Sequence, residues 1–77
     1  MNERIPVLKA RNVMQVLRVM GFFQVRQKGA HICFKHKDGR FTLVPSHAGE
    51  DIGRGLLRQI LREVGISPKD FSRYLKK

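Results

Sequence analysis

Acidic residues are scarce in this chain. Asp and Glu number 6 against 16 Lys and Arg, which leaves a net charge of +10. A single-sign field this strong exceeds what solubility needs. It favours a polyanionic partner: nucleic acid, an acidic protein or an anionic membrane surface. Cysteine occurs once, so no internal disulfide can form. No apolar run approaches the roughly 20 residues of a membrane span. The opening MNERIPVLKARN lacks the apolar segment of a signal peptide. These absences predict a cytoplasmic protein without a membrane partner. The 77 residues read as a single domain over 1–77. A chain this short buries only about 60% of its unfolded surface, so a shallow surface site is expected rather than a deep pocket.

Cofactor and metal patterns are missing too. Gly29, Gly49, Gly53 and Gly55 form no phosphate-binding loop. His31, Cys33, His36 and His47 match no zinc spacing, so no metal and no cofactor is expected.

What is present is periodic. Pro6 biases Ile5 away from helix. A helix is expected from Lys9 or Ala10, with Val13, Val16, Leu17 and Met20 on one face and Gly21 as a left-handed terminator. Phe22–Gln27 reads as a strand in which Phe23 and Val25 alternate with Gln24 and Arg26. Gln27-Lys28-Gly29 then turns the chain. Two further strands, 31–37 and 40–45, flank Asp38-Gly39, a two-residue hairpin signal. That turn sets Lys37 opposite Arg40, Lys35 opposite Thr42 and Phe34 opposite Leu43. It predicts an apolar face of Ile32, Phe34, Phe41 and Leu43, with His36 at its edge beside Phe41. The other face becomes a basic platform of His31, Cys33, Lys35, Lys37, Arg40, Thr42 and Val44.

Glu50-Asp51 places negative charge ahead of a second helix over 54–64, where it suits the helix dipole. Leu57, Ile60, Leu61 and Val64 form that helix's apolar stripe, and Arg54, Arg58 and Arg62 its basic ridge. Ser67-Pro68-Lys69-Asp70 starts a short last helix, 68–75, with Phe71, Tyr74 and Leu75 closing the core. The fold class is α+β: an α-β-β-β-α order with a three-stranded antiparallel sheet, helices on one face and a short extra C-terminal helix.

Three histidines compete for a chemical role. His31 sits on the open basic platform, where packing has no need of it. Histidine ordinarily titrates at about pH 6.5, so it can take or give a proton near neutrality. Lys28, Lys35 and Lys37 lie near enough in sequence to neutralise phosphate. Together these groups match what RNA cleavage requires: a base for the 2′-OH, positive charge at the phosphorane and an acid for the leaving oxygen. Surface histidines are nevertheless more often idle than catalytic. His36 reads as a partly buried structural residue. His47, in the loop after the sheet, comes close to His31 if residue 31 pairs with residue 46; it serves either as a second acid/base or to fix the loop. The Arg54/Arg58/Arg62 ridge fits an ordinary solvated helix face as well as a phosphate track, and Arg54 has the better functional case because it lies near a helix N-terminus, where anions bind favourably.

GFFQVRQKGAH at 21–31, FKHKDGR at 34–40, VPSHAGEDIGRGLLRQILREVGIS at 44–67 and the segment at Phe71 together resemble the HicA (YcfA-like) toxins. These are small mRNA interferases of toxin–antitoxin systems, and the resemblance covers residues 10–74. It implies a fold similar to a double-stranded-RNA-binding domain and metal-independent cleavage of mRNA. It further implies catalysis by His31, and a HicB-like antitoxin that covers the site. The histidine after the family's proline corresponds to His47. Lys28, Lys35, Arg54 and His47 are the expected RNA-binding residues around His31. Ala30 stands where the family usually has Ser, and Leu56 where Thr is frequent, so a hydroxyl is missing at each place. The alternative is a non-catalytic RNA-binding module of the same fold, reading shape through phosphate and 2′-OH contacts.

Overall fold

The computed structural model describes residues 7–75; the expectation for Ile5 and Pro6 lies outside them. Leu8–Lys9 forms a short strand, β1, and Ala10–Val19 the first helix, α1. Val13, Val16 and Leu17 are buried along one side of α1, as the spacing predicts; Met14 joins them, and Met20 is only partly buried. The helix ends where a left-handed residue is available. Gly21 has φ +101°, its N–H donates to the Arg18 carbonyl, and the Phe22 N–H reaches back to that of Leu17. That closure turns Phe22 into the core.

Three strands follow: β2 (Phe23–Lys28), β3 (His31–Lys35) and β4 (Phe41–Pro45). They form an antiparallel sheet in the order β2-β3-β4. A second, two-stranded pairing joins β1 to β5 (Asp51–Ile52), with Lys9 bridged to Asp51 at 2.7 Å. Asp51 therefore serves this pairing rather than the dipole of the next helix. That helix, α2 (Arg54–Val64), buries Leu57, Ile60, Leu61 and Val64. The last, α3 (Pro68–Leu75), is capped by Ser67, whose Oγ accepts the Asp70 N–H at 3.1 Å, and it buries Phe71.

Helices α1 and α2 pack on the same face of the sheet, against β4, and α3 closes against both. Phe34, Leu17, Leu57, Ile60 and Phe71 fill the core between the layers. Burying each such side chain stabilises the fold by about 1.5–3 kcal/mol. The other sheet face is left open. This is the α-β-β-β-α order of double-stranded-RNA-binding-domain folds.

The turns differ from the sequence expectation, and the difference decides what the open face carries. Asp38 does not take a positive φ; only Gly39 does, at +101°. A type I′ turn needs both, so the β3–β4 loop is longer. The Gly39 N–H donates to the His36 carbonyl and the His36 N–H to the Arg40 carbonyl, closing a three-residue loop with glycine at the left-handed position. The register becomes Lys35 opposite Phe41, Phe34 opposite Thr42, Cys33 opposite Leu43 and Ile32 opposite Val44. Relative to the expected pairing, β4 slips by one residue, which sends each of its side chains to the opposite face. Thr42 and Val44 are fully buried, while Phe41 and Leu43 face solvent. Thr42 meets the helix layer, where its hydroxyl donates to Glu63 at 2.7 Å.

Arg40 also leaves the expected platform. Its Nε donates to both oxygens of Asp38, at 3.1 and 2.9 Å, and its Nη1 donates to the Val64 carbonyl at the end of α2. The guanidinium lies over the Phe22 ring, 5.1 Å from its centroid. His36 is partly buried, as expected, but its ring meets Phe22 edge-on rather than Phe41. Its Nδ1 sits 3.2 Å from both the Asp38 N–H and an Asp38 carboxylate oxygen. The unprotonated ring accepts from the first; the protonated ring donates to the second. One cation thus ties the β-turn, the α1 terminus and the α2 terminus together.

Two outcomes are expected. Arg40→Ala, read by urea unfolding, lowers stability by about 1.5–3 kcal/mol, the range for hydrogen bonds made by a charged group. The Arg40 guanidinium also holds the Asp38 carboxyl at about 2, below its usual 3.8. A carboxyl lowered in the folded state adds stability above its unfolded value and loses it as pH falls through the folded one. Unfolding followed from pH 5 to pH 2 should therefore show an acid-side loss of stability between about 4 and 2. That loss should be smaller in Asp38→Asn.

Candidate functional site

His31 owes its position to a tight turn. Gly29 has φ +59° and Ala30 does not share the left-handed region, the pattern of a type II′ hairpin with glycine first. The Gln27 side-chain amide donates to the Gly29 carbonyl at 3.3 Å. The two-residue turn thus lies at Gly29-Ala30, one step later than expected, and Lys28 belongs to β2. Ala30 occupies the second turn position, which accepts Ser or Ala alike because its φ is ordinary.

His31 is consequently the first residue of β3, paired with Lys28 on one side and Pro45 on the other. Both His31 and Lys28 are exposed, and opposed residues of neighbouring strands project to the same face. The imidazole therefore stands in water beside an ammonium. Among the described residues, His31 is open to solvent, so a polymer can lie across it.

The Ser46 N–H donates to the Ala30 carbonyl at 2.8 Å, continuing the β3–β4 ladder one step beyond the strands. This sets residue 30, not 31, against residue 46. The chain leaving β4 still runs beside the Gly29-Ala30-His31 corner, and exposed His47 follows immediately. The His47 carbonyl accepts the Glu50 N–H at 2.9 Å. The same loop caps α1: the Glu50 and Ala48 carbonyls accept the N–H groups of Ala10 and Arg11. His47 thus helps fix its loop through its backbone, and its ring is left at the surface.

Arg54 is the first residue of α2 and is exposed. The Thr42–Glu63 and Arg40–Val64 contacts hold the other end of α2 beside the start of β4. Its N-terminus consequently points to the Pro45 end of the sheet, the end that carries His31. Arg54 lies in the helix layer there, not on the open face. Lys35 has the opposite placement. It shares the open face with His31 but stands four residues along β3, about 13 Å away at 3.3 Å per residue. His31 and Lys28 form one cluster, with His47 and Arg54 at the same end of the fold. Lys35 belongs to a separate row.

That row holds what the sequence reading missed. Phe23 and Phe41 flank Lys35 on the two neighbouring strands. They are 49% and 56% exposed, and Val25 and Leu43, on the same sheet, are 44% and 45% exposed. β2 is an edge strand, exposed along its whole length, with a bulge between Gln24 and Arg26. A three-residue loop at Lys37-Asp38-Gly39 would have exposed Phe41 and Leu43, but the same letters also fit the shorter turn. Among the described residues, no three His, Cys, Asp or Glu side chains gather as a metal-ligating group. No helix among them is long and apolar enough to cross a membrane.

A comparison with curated proteins returns no match. The family described as "HicA toxin of bacterial toxin-antitoxin" matches residues 10–66, from the start of α1 to just beyond α2 and including the whole three-stranded sheet. The chain belongs to the HicA toxin family.

Proposed function

We propose that this protein is an endoribonuclease of the mRNA-interferase type, the toxic half of a type II toxin–antitoxin pair, acting in the cytoplasm. The observation that carries the reading is the placement of His31: exposed, on an open sheet face, directly across the strand pair from Lys28. Membership of the HicA family supports it. So does the net charge of +10, which draws a polyanion to any exposed site.

The chemistry follows from what a phosphodiester needs. His31 takes the proton of a ribose 2′-OH as that oxygen attacks the adjacent phosphorus. The P–O5′ bond breaks, and the leaving 5′-oxygen gains a proton from an imidazolium or from water. The products are a 2′,3′-cyclic phosphate and a 5′-hydroxyl. Lys28 offsets the charge that builds on the phosphorane oxygens. His47 and Arg54, at the same end of the fold, hold the flanking phosphates, and Lys35 takes one further along the strand. Nothing in this scheme requires a cofactor. A HicB-like antitoxin binds over the exposed site and silences it; an acidic surface on it would suit the cations of this face.

His31→Ala is expected to keep the circular dichroism of the wild type while RNA cleavage falls by about 10²- to 10⁴-fold, the usual worth of a general acid or base. Growth inhibition should vanish with it. Unchanged cleavage would remove His31 from the mechanism. Wild-type protein that binds RNA but leaves it intact over hours would mark a binding module instead. For Lys28→Ala, binding titrated across salt concentrations should show the slope of log K against log salt reduced by about 1.

A further inference from the structure

Four of the exposed large apolar side chains, Phe23, Val25, Phe41 and Leu43, belong to the open sheet. Water-facing apolar surface of this kind marks a binding site more often than an accident of packing. The pairing arranges it in rows across the strands. One row reads Phe23, Lys35, Phe41; the next reads Arg26, Cys33, Leu43; the third contains Lys28 and His31. Val25, Arg26, Cys33, Lys35 and Phe41 line a shallow groove of about 350 Å³ on this surface. No acidic residue stands in any of the three rows.

We infer that this face is a stacking platform for unpaired bases, so that the RNA presented to His31 is single-stranded. The inference rests on the endoribonuclease reading and supplies its substrate class. Phe23 and Phe41 stand two strand spacings apart, about 10 Å, so each ring takes a base of its own. Lys35 lies between them, where the connecting phosphate passes, and Arg26 continues the cationic track towards His31. Aromatic rings alternating with cations suit a strand whose bases have π-faces and whose backbone is anionic. In a duplex the base faces are already stacked on one another, and these rings have nothing to cover. An apolar protein partner would find Lys35 and Arg26 interrupting the patch, and a basic one would find no acid in these rows to meet its charge.

The test is equilibrium binding by fluorescence anisotropy, using an unstructured 2′-O-methyl oligoribonucleotide and a duplex of the same sequence. The methylated sugar lacks the nucleophilic hydroxyl, so binding is read whether or not the protein cleaves RNA. A failure of the cleavage reading would therefore leave this result intact. Phe41→Ala and Phe23→Ala should each weaken single-strand binding by about fivefold or more, the worth of one stacked base. Duplex binding should stay within about twofold. Phe41→Tyr should retain affinity, whereas Phe41→Leu, which keeps apolar volume but loses the π-face, should not. Both rings are about half exposed, so the melting temperature should hold. If Phe41→Ala lowers it, Phe41→Leu and Phe41→Tyr carry the comparison. Equal affinity of wild type and the leucine variant for the single strand would overturn the inference, as would an equal loss on the duplex. So would variants that bind RNA normally but lose the antitoxin, which would make this face a protein-docking surface.

Discussion

What β4 presents on the open face of this sheet depends on how β3 is registered against β4, and the turn between them fixes that register. Gly39 supplies the one positive φ, and Arg40 secures the corner by holding Asp38 and the last carbonyl of α2. Side chains alternate across a sheet with a period of two. A register set one residue differently would therefore bury Phe41 and Leu43 and expose Thr42 and Val44. Because Thr42 donates to Glu63 and Val44 is fully buried, the helix layer reads the same register from the other side. The turn and the core agree, and so the open face is specified rather than left over.

The two layers divide the labour. The helix layer carries the core: the buried stripes of α1 and α2 and Phe71 of α3 form one cluster with Phe34, and both long helices end in left-handed glycines that satisfy their last carbonyls. The loop from Ser46 to Glu50 serves both layers. It completes the β3–β4 ladder at Ala30 and caps the start of α1. The corner carrying His31 is thus braced by backbone hydrogen bonds on a rigid element, while its imidazole remains in water. A group that handles protons on a polymer benefits from both conditions, since its position is fixed and its access is open.

Charge and apolar surface are interleaved on the open face rather than segregated. Lys28 beside His31 suits phosphate, and Phe23 and Phe41 about Lys35 suit what the phosphates connect. The long-range field of a +10 chain brings an anion close without choosing among anions. Choice requires short-range contacts, and the exposed rings and cations of this sheet are the groups placed to make them.

By itself the sequence determined the local elements. The bounds of α2 and α3 and the start of α1 followed from apolar periodicity and the Ser67 cap, and Gly21 marked the close of α1, all short-range signals. It also placed His31 at the start of a strand on the open face, where the structure finds it exposed, because the β4 register does not change the face that β3 presents. Only the tertiary structure decided the contents of the open face. Lys-Asp-Gly is compatible with a two- or a three-residue loop, and the choice is made 24 residues away, where Arg40 finds the Val64 carbonyl and Thr42 finds Glu63. The same holds for the pairing of β1 with β5, two residues on each side, too short for any pattern to announce. A one-residue shift is invisible to composition and nearly invisible to periodicity. Yet it turned a platform expected to carry Thr42 and Val44 into one that carries Phe41 and Leu43 in water.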